Sequence, residues 1–348
     1  MLKFPGDLTA EKFLSRHWQK TPLYMPQAIA PMRPAVSRNE LAWLATLEDV
    51  ESRIVFTDRD QGTSRYRVET GPFETAFLRA LPRRDWSLLV HDVEKHLPAL
   101  RRLFAQVPFI PDWRIDDLMI SFAAPGGGVG PHRDSYDVFL CQGIGVREWR
   151  LSRTAIDEDE SASEDLVLLR EFEGDECHTT REGDVLYLPP GVAHWGTAQR
   201  ACITYSIGMR APPGYADPDL RLSEVRPGYV SAVALKRAGK RASSLGCLVT
   251  EPKDWLRPLA PEEDEIAALL DFPSALNKLR LHGMARLAFD DNNLYLNGAR
   301  RVLRADEREP IALLCLRRRL SRALASALGM HCIQWLLANG AFEIPENR

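Results

Sequence analysis

No run of 18 or more apolar residues occurs in the 348-residue chain, which excludes a transmembrane helix. The leading segment MLKFPGDLTAEKF lacks the apolar core and small-residue cleavage site of a secretory signal. A cytoplasmic protein is therefore expected. Cysteine is sparse. Cys141, Cys177, Cys202, Cys247, Cys315 and Cys332 are scattered and form no CxxC pair, which argues against a zinc ribbon and a disulfide framework. Single buried thiols in a reducing compartment are the expected state. An excess of one charge is also missing. The chain holds 45 Lys+Arg against 48 Asp+Glu, a net of -3, so no polyanion partner is indicated. The imbalance is uneven: residues 1–211 carry 25 basic and 31 acidic side chains, and 212–348 carry 20 and 17. An acidic first part suits a basic substrate surface, although such a bias usually serves solubility.

The apolar fraction of 45% and charged fraction of 27% describe an ordinary globular chain. Its length implies two or three domains. Residues 9–20 read as a helix capped by Thr9 and stopped by Pro22. SRNELAWLAT at 37–46 repeats the pattern, with a capping box formed by Ser37 and Glu40. Ile54–Thr57 and Tyr66–Glu69 read as short strands. Trp86, Val90, Val93 and Leu97 are spaced by four, three and four, which predicts a helix over 86–107. From 116 onward, DLMISFAA, DVFLCQG, EWRLS, DVLYLPPG and ACITYSIGMR are short apolar runs between Gly/Pro turns, the pattern of an antiparallel sandwich or barrel. The acidic stretch 157–176 reads as an exposed loop. After Pro212-Pro213 the strand pattern ends, and a modest helical signal lies near 230–242. MARLAFDDNNLYLNGARRVL reads as a hairpin turning at Asp291-Asn292. The segment 310–328 places Leu313, Leu316, Leu320, Leu324 and Ala327 on one helical face. A last helix covers about 330–338 and ends at Gly340.

One segment carries metal chemistry. In PGGGVGPHRDSYDVF, His132 and Asp134 stand two apart, so a strand would point both to one side. His194 is the natural third ligand, placed just after the strand and rigid turn of DVLYLPPGVAH. Two histidines and one carboxylate form the facial triad of non-haem Fe(II) oxygenases, which leaves positions open for a 2-oxo acid and dioxygen. The competing reading is a cupin-like shell with structural histidines or another metal. His17, His91, His96, His178, His282 and His331 lack comparable context and read as surface or packing residues. A 2-oxo dicarboxylate also needs a cation for its far end, and arginine supplies a bidentate one. Arg147 lies on the next strand, GVREWRLS, and shares a face with Trp149. Hydroxyls on other inward strands, Ser121, Thr204 and Ser206, are candidate helpers. An exposed strand arginine is the alternative for Arg147.

At these residues the chain resembles the JmjC-type ribosomal oxygenases, and within them the bacterial branch that hydroxylates an arginine of large-subunit ribosomal protein L-sixteen. The carrying segments are HWQKTPL (17–23), PDWRIDDLMISF (111–122), PGGGVGPHRDSYDVFLCQG (125–143), GDVLYLPPGVAHWG and ITYSIGMRAP (183–212). The resemblance implies an α+β fold: a double-stranded β-helix (cupin/JmjC jelly-roll) core with flanking helices and a C-terminal winged-helix-like domain. The expected division is a catalytic domain over 1–212 with an N-terminal helical annex, a helical dimerisation region over 213–272, and the winged-helix-like domain over 273–348. The stretch between Arg210 and LGCLVTEPKDW is short for the family's dimerisation helices. The resemblance further implies Fe(II), 2-oxoglutarate and dioxygen as cofactor and cosubstrates. It places the iron on His132, Asp134 and His194, and the cosubstrate on Arg147 with Ser121. It sets the substrate arginine against Asp117, Met119 and Tyr136. Strand alternation agrees that Asp117, Met119 and Ser121 share a face, where an acid beside apolar surface fits a guanidinium on its stem. Asp116 and Asp117 as simple strand-start acids are the alternative. The implied activity is 3-hydroxylation of that arginine. Two competing functions remain: a JmjC oxygenase acting on another residue, by histidine hydroxylation or lysine demethylation, and a non-catalytic regulator whose LRRRLSR segment (316–322) binds nucleic acid. A solvated helix face fits LRRRLSR better. The expected partner is the ribosomal protein, with a possible homodimer and no membrane.

Overall fold

The computed structural model describes the chain apart from residues 33–34, 61–62, 153–158, 164–165, 170–171, 254–255, 272 and 345–348. It divides into two compact units, Met1–Val107 with Asp116–Met209, and Pro108–Ile115 with Arg210–Arg348.

In the first unit, helix α1 (Ala10–Arg16) is capped by Thr9, whose side chain accepts from the Lys12 N–H, and leads to strand β1 (Leu23–Met25). Helix α2 (Arg38–Leu44) carries the full Ser37/Glu40 capping box. Strands β2 (Ser52–Asp60) and β3 (Thr63–Thr70) form a hairpin, followed by α3 (Thr75–Ala80), β4 (Trp86–Val90) and α4 (Val93–His96). Then come β5 (Ile115–Ala123), β6 (His132–Arg133), β7 (Val138–Gln142), β8 (Val146–Ser152), β9 (Asp159–Ser163) and β10 (Leu166–Leu169). Strands β11 (Glu176–Arg181), β12 (Val185–Leu188), β13 (Ala193–Ala198) and β14 (Cys202–Met209) complete the unit.

Eight of these strands make two facing sheets, ordered β12-β7-β14-β5 and β11-β8-β13-β6. The chain passes from one sheet to the other between most successive strands, which is the topology of a double-stranded β-helix. The first sheet continues past β5 into β4, β2 and β3, and gains β1 on its other edge. Alternation then sorts the side chains. Val138, Leu140, Leu186 and Leu188 meet Trp149 and Leu151 between the sheets. Phe139 and Tyr187 face outward and are covered by Phe13 of α1, at ring separations of 5.8 and 4.9 Å. This coverage explains why β7 and β12 are buried throughout. Burying Phe13 contributes about 2–3 kcal/mol relative to leaving it in water.

The second unit holds α5 (Ala232–Ala238), α6 (Leu245–Thr250), α7 (Glu263–Asp271), α8 (Pro273–Leu276) and β15 (Arg280–Leu281). Strands β16 (Leu287–Phe289), β17 (Asn293–Leu296) and β18 (Ala299–Val302) form an antiparallel meander, with the first turn where Asp291-Asn292 predicted it. Helices α9 (Arg308–Arg317), α10 (Arg322–Leu328) and α11 (Met330–Ala338) follow, and β19 (Phe342–Glu343) pairs with β15.

Several local expectations fail for identifiable reasons. The 86–107 segment begins as strand β4, whose five residues are all buried, and continues as a short helix and a 3-10 helix. A short apolar run buried on both faces has no diagnostic period. The first helix ends at Arg16, well before Pro22, and Gln19 takes a left-handed conformation. The acidic loop contains a β9–β10 hairpin, with Leu168 and Leu169 buried. Residues 310–328 are two helices, broken at the left-handed Arg318. Ile311 and Leu314 are buried there, whereas Leu313 and Leu316 are exposed. Cys177 is exposed, contrary to the expectation of buried thiols.

Candidate metal and dicarboxylate site

The two-residue strand β6 pairs with β13 so that His132 lies directly opposite His194. Their rings stand 4.2 Å apart between centroids. Asp134 follows β6, and its carbonyl accepts the Gly191 N–H at 2.8 Å. Gly191 has φ of +81°, so the Pro-Pro-Gly turn that delivers His194 also holds the backbone of Asp134. The Asp134 carboxylate lies 3.9 Å from His132 Nε2 and 3.6 Å from His194 Nε2. One ligand atom from each of the three residues falls within 4.8 Å of the others.

The protonation pattern fits a metal. His132 Nδ1 lies 2.9 Å from the Gly130 carbonyl, and His194 Nδ1 lies 2.9 Å from the Val192 carbonyl. A carbonyl only accepts, so each Nδ1 carries a hydrogen and each Nε2 is the ring nitrogen left for the cluster. Burial, reinforced by the His132 ring, pushes the His194 pKa down to about 4, so that ring is neutral at neutral pH. Two imidazoles and a carboxylate converging on one point are the donor set of a facial triad.

Deeper between the sheets lies Arg147, 4% exposed. Its Nη1 donates to Ser121 Oγ and Thr204 Oγ1, each at 3.2 Å. Its Nε has no hydrogen-bond partner among the described residues. Burial lowers its pKa, yet a guanidinium stays charged. A buried cation held by two neutral hydroxyls is a costly arrangement unless an anion completes it. Trp149 packs against both this cation and the His132/Asp134/His194 cluster. The guanidinium sits 5.0 Å from its ring, and the His194 ring 5.9 Å. Gly196 makes room for that ring, because a Cβ there would fall 2.5 Å from Trp149.

The hydroxyls are not equivalent. Gln142 Oε1 accepts from Thr204 Oγ1 at 3.2 Å, while the Gln142 amide donates to the Ile144 and Ile203 carbonyls. Thr204 therefore spends its one hydrogen on Gln142 and accepts from Arg147. Thr180 packs against the same amide, at 3.2 Å. Ser206 is buried on the same face of β14. Gln142 and Thr180 escaped the sequence reading. Their signal was inward alternation from Leu140 on β7 and, across the sheet, from the Arg147 register on β11.

Asp117 and Met119 alternate with Ser121 on the inner face of β5. Asp117 lies over Gly208, where a Cβ would come 2.7 Å from its Oδ1. Met119 packs against the Val55, Leu89 and Leu168 cluster. Tyr136 is 42% exposed. Burial and the carboxylates of Asp134 and Asp117 push its pKa up. Its hydroxyl thus senses both the metal cluster and Asp117. His91, expected to be a surface or packing residue, contacts Asp117 at 3.3 Å.

A family model described as the JmjC domain matches residues 102–216. The chain is 42% identical over 225 residues to the ribosomal protein uL16 3-hydroxylase of Escherichia coli K12, a match covering 62% of this chain and 58% of that protein. The chain thus matches less than two thirds of that relative's length in sequence. The X-ray structure of E. coli ycfD superposes with a TM-score of 0.74 at 30% identity, covering 97% of this chain and 98% of that one. The structure of YcfD, a ribosomal oxygenase from E. coli in complex with cobalt and 2-oxoglutarate, gives a TM-score of 0.68 at 30% identity with the same coverage. The chain belongs to the JmjC-domain ribosomal oxygenases.

Proposed function

We propose that this chain is an Fe(II)- and 2-oxoglutarate-dependent protein hydroxylase that adds a hydroxyl to the β-carbon of an arginine in ribosomal protein uL16. The observation that carries the reading is the pairing of a His132/Asp134/His194 donor cluster with the buried guanidinium of Arg147, whose Nε has no hydrogen-bond partner among the described residues. The named E. coli relative supports the substrate, and the cobalt and 2-oxoglutarate complex supports the cofactors.

His132, Asp134 and His194 would hold the iron. When bound, iron with 2-oxoglutarate and dioxygen supplies the oxidising power that turns a C–H bond into C–OH, releasing succinate and carbon dioxide. The protein's task is positioning and exclusion of water. Arg147, whose Nε is unpartnered among the described residues, would hold the far carboxylate of the cosubstrate. Ser121, whose hydrogen is not committed to Gln142, donates to the same carboxylate. Trp149, in contact with both Arg147 and His194, would line the pocket between them. Asp117 takes the substrate guanidinium in a charge-assisted bond, and the apolar surface around Met119 takes the aliphatic stem. Tyr136 closes the opening beside Asp134.

The same reading extends to the rest of the chain. Residues 1–212 form the catalytic part and 273–348 a winged-helix-like domain, with the β16–β18 meander as wing beside α9–α11. Residues 213–272 serve a homodimer, although their helices α5–α7 run only seven, six and nine residues. No described helix is long and apolar enough to cross a membrane. The substrate places the protein in the cytoplasm. Light scattering of the purified chain tests the dimer. Mass spectrometry of a uL16 peptide, incubated with the chain, Fe(II), 2-oxoglutarate and dioxygen, tests the activity. One added oxygen on arginine supports it, and an unmodified peptide beside a fully iron-loaded protein contradicts it.

A further inference from the structure

We infer that Arg53 and His91 are positioning residues that hold Asp117 as a charged, aimed carboxylate for a cationic substrate side chain. This rests on the reading above, in which Asp117 meets the substrate.

The three residues come from adjacent strands of the extended sheet. Arg53 on β2 pairs with Leu89 on β4, and Leu89 pairs with Ser121 on β5. His91 follows β4, and its N–H donates to the Glu51 carbonyl, so the ladder continues one step past the strand. Alternation puts Arg53, Leu89, His91, Met119 and Ser121 on the face that holds Arg147. The β4, β2 and β3 strands therefore extend the wall of the site beyond the eight-stranded core.

Donor bookkeeping sets the state of the ring. Arg53 Nη2 lies 3.3 Å from His91 Nε2, and His91 Nδ1 lies 3.3 Å from Asp117 Oδ2. A guanidinium only donates, so Nε2 accepts. The hydrogen of the neutral ring then sits on Nδ1 and goes to Asp117. In this arrangement the histidine gives Asp117 a hydrogen bond without cancelling its charge. The other Asp117 oxygen lies over Gly208, where no side chain displaces it. One carboxylate oxygen is thus anchored from behind, which fixes the direction in which Asp117 meets a guanidinium or ammonium group.

The device acts on substrate affinity rather than on the chemical step. Removing the anchor of a charged group costs about tenfold in affinity. The test uses the full-length chain loaded with Fe(II) and 2-oxoglutarate under nitrogen, where a labelled arginine-containing uL16 peptide binds without turnover. His91→Ala should weaken binding about tenfold with kcat in air unchanged. His91→Asn, whose amide nitrogen occupies the place of Nδ1, should restore affinity and guards against a folding defect. In an Asp117→Asn background, His91→Ala should have no further effect. If Asp117→Asn itself binds like the wild type, the substrate reading of Asp117 fails. If Asp117→Asn weakens binding and His91→Ala does not, the inference fails alone. An equal loss from His91→Ala in both backgrounds would also overturn it, because His91 would then act elsewhere.

Discussion

Replacing Arg147 with methionine should raise the stability of the ligand-free protein and abolish its response to 2-oxoglutarate. The two effects have one origin. Arg147 is buried, and its Nη1 reaches only two hydroxyls. Withdrawing such an ion from water costs several kcal/mol. The two hydroxyl bonds return about 1 kcal/mol each, and the Trp149 ring about 1–2 kcal/mol. A net penalty of about 1–2 kcal/mol remains, which Met removes while keeping most of the aliphatic volume. The ligand-free melting temperature should rise by roughly 2–8 °C. Binding changes the other way. Two charge-assisted bonds to a carboxylate are worth about 3 kcal/mol or more together, so affinity for 2-oxoglutarate should fall at least about 100-fold. At a ligand concentration of about 100 times Kd, the wild type gains about 2.7 kcal/mol and the variant almost nothing. Thermal melts of both proteins with Mn(II), with and without 2-oxoglutarate, read both effects. A variant that melts lower when ligand-free and keeps the ligand-induced shift would refute the reasoning.

Three further outcomes follow from the same geometry. Ser121→Ala should weaken 2-oxoglutarate binding more than Thr204→Val, because only Ser121 has a hydrogen to give; the reverse order by calorimetry would contradict the Gln142 assignment. Gly196→Ala should cost about 1–3 kcal/mol in denaturant melts by crowding Trp149, and should loosen iron binding through His194; an unchanged melt counts against it. Glu94, whose pKa burial pushes up to about 7, accepts the Leu118 N–H at 2.9 Å. The folded state holds its proton more tightly than the unfolded state, so this contribution is full below about pH 4.5 and lost as pH rises through 7, by up to about 3 kcal/mol. Glu94→Gln keeps the bond, and its stability should fall less between pH 5 and 8 than that of the wild type; parallel curves would contradict this.

The metal cluster was legible because it rests on strand period and one rigid turn. His132 and Asp134 are two apart, and the Pro-Pro-Gly turn places His194 across the ladder. Arg147 was legible for the same reason, from its shared face with Trp149. The wall around Asp117 was not. Trp86, Val90, Val93 and Leu97 mimic a helix, and a helical reading turns His91 away from β5. Only the pairing of β4 with β2 and β5 reveals that Leu89 and His91 face the site. Gln142 was hidden differently: a polar residue ending an apolar strand reads as its boundary, and its side-chain contacts with Thr180, Ile203 and Thr204 depend on residues distant in sequence. In the second unit, α9 and α10 read as one helix because no proline or glycine marks the left-handed turn at Arg318.

In the proposed function His132, Asp134 and His194 form a working oxygenase centre. Its most direct test is oxygen incorporation from labelled dioxygen into an arginine-containing uL16 peptide, with wild type and His132→Ala measured side by side. The wild type should place one labelled oxygen on the arginine and form succinate in equal amount, and the variant should do neither. An iron-loaded wild type that leaves the peptide unlabelled, or a His132→Ala variant that labels it equally well, would contradict the account.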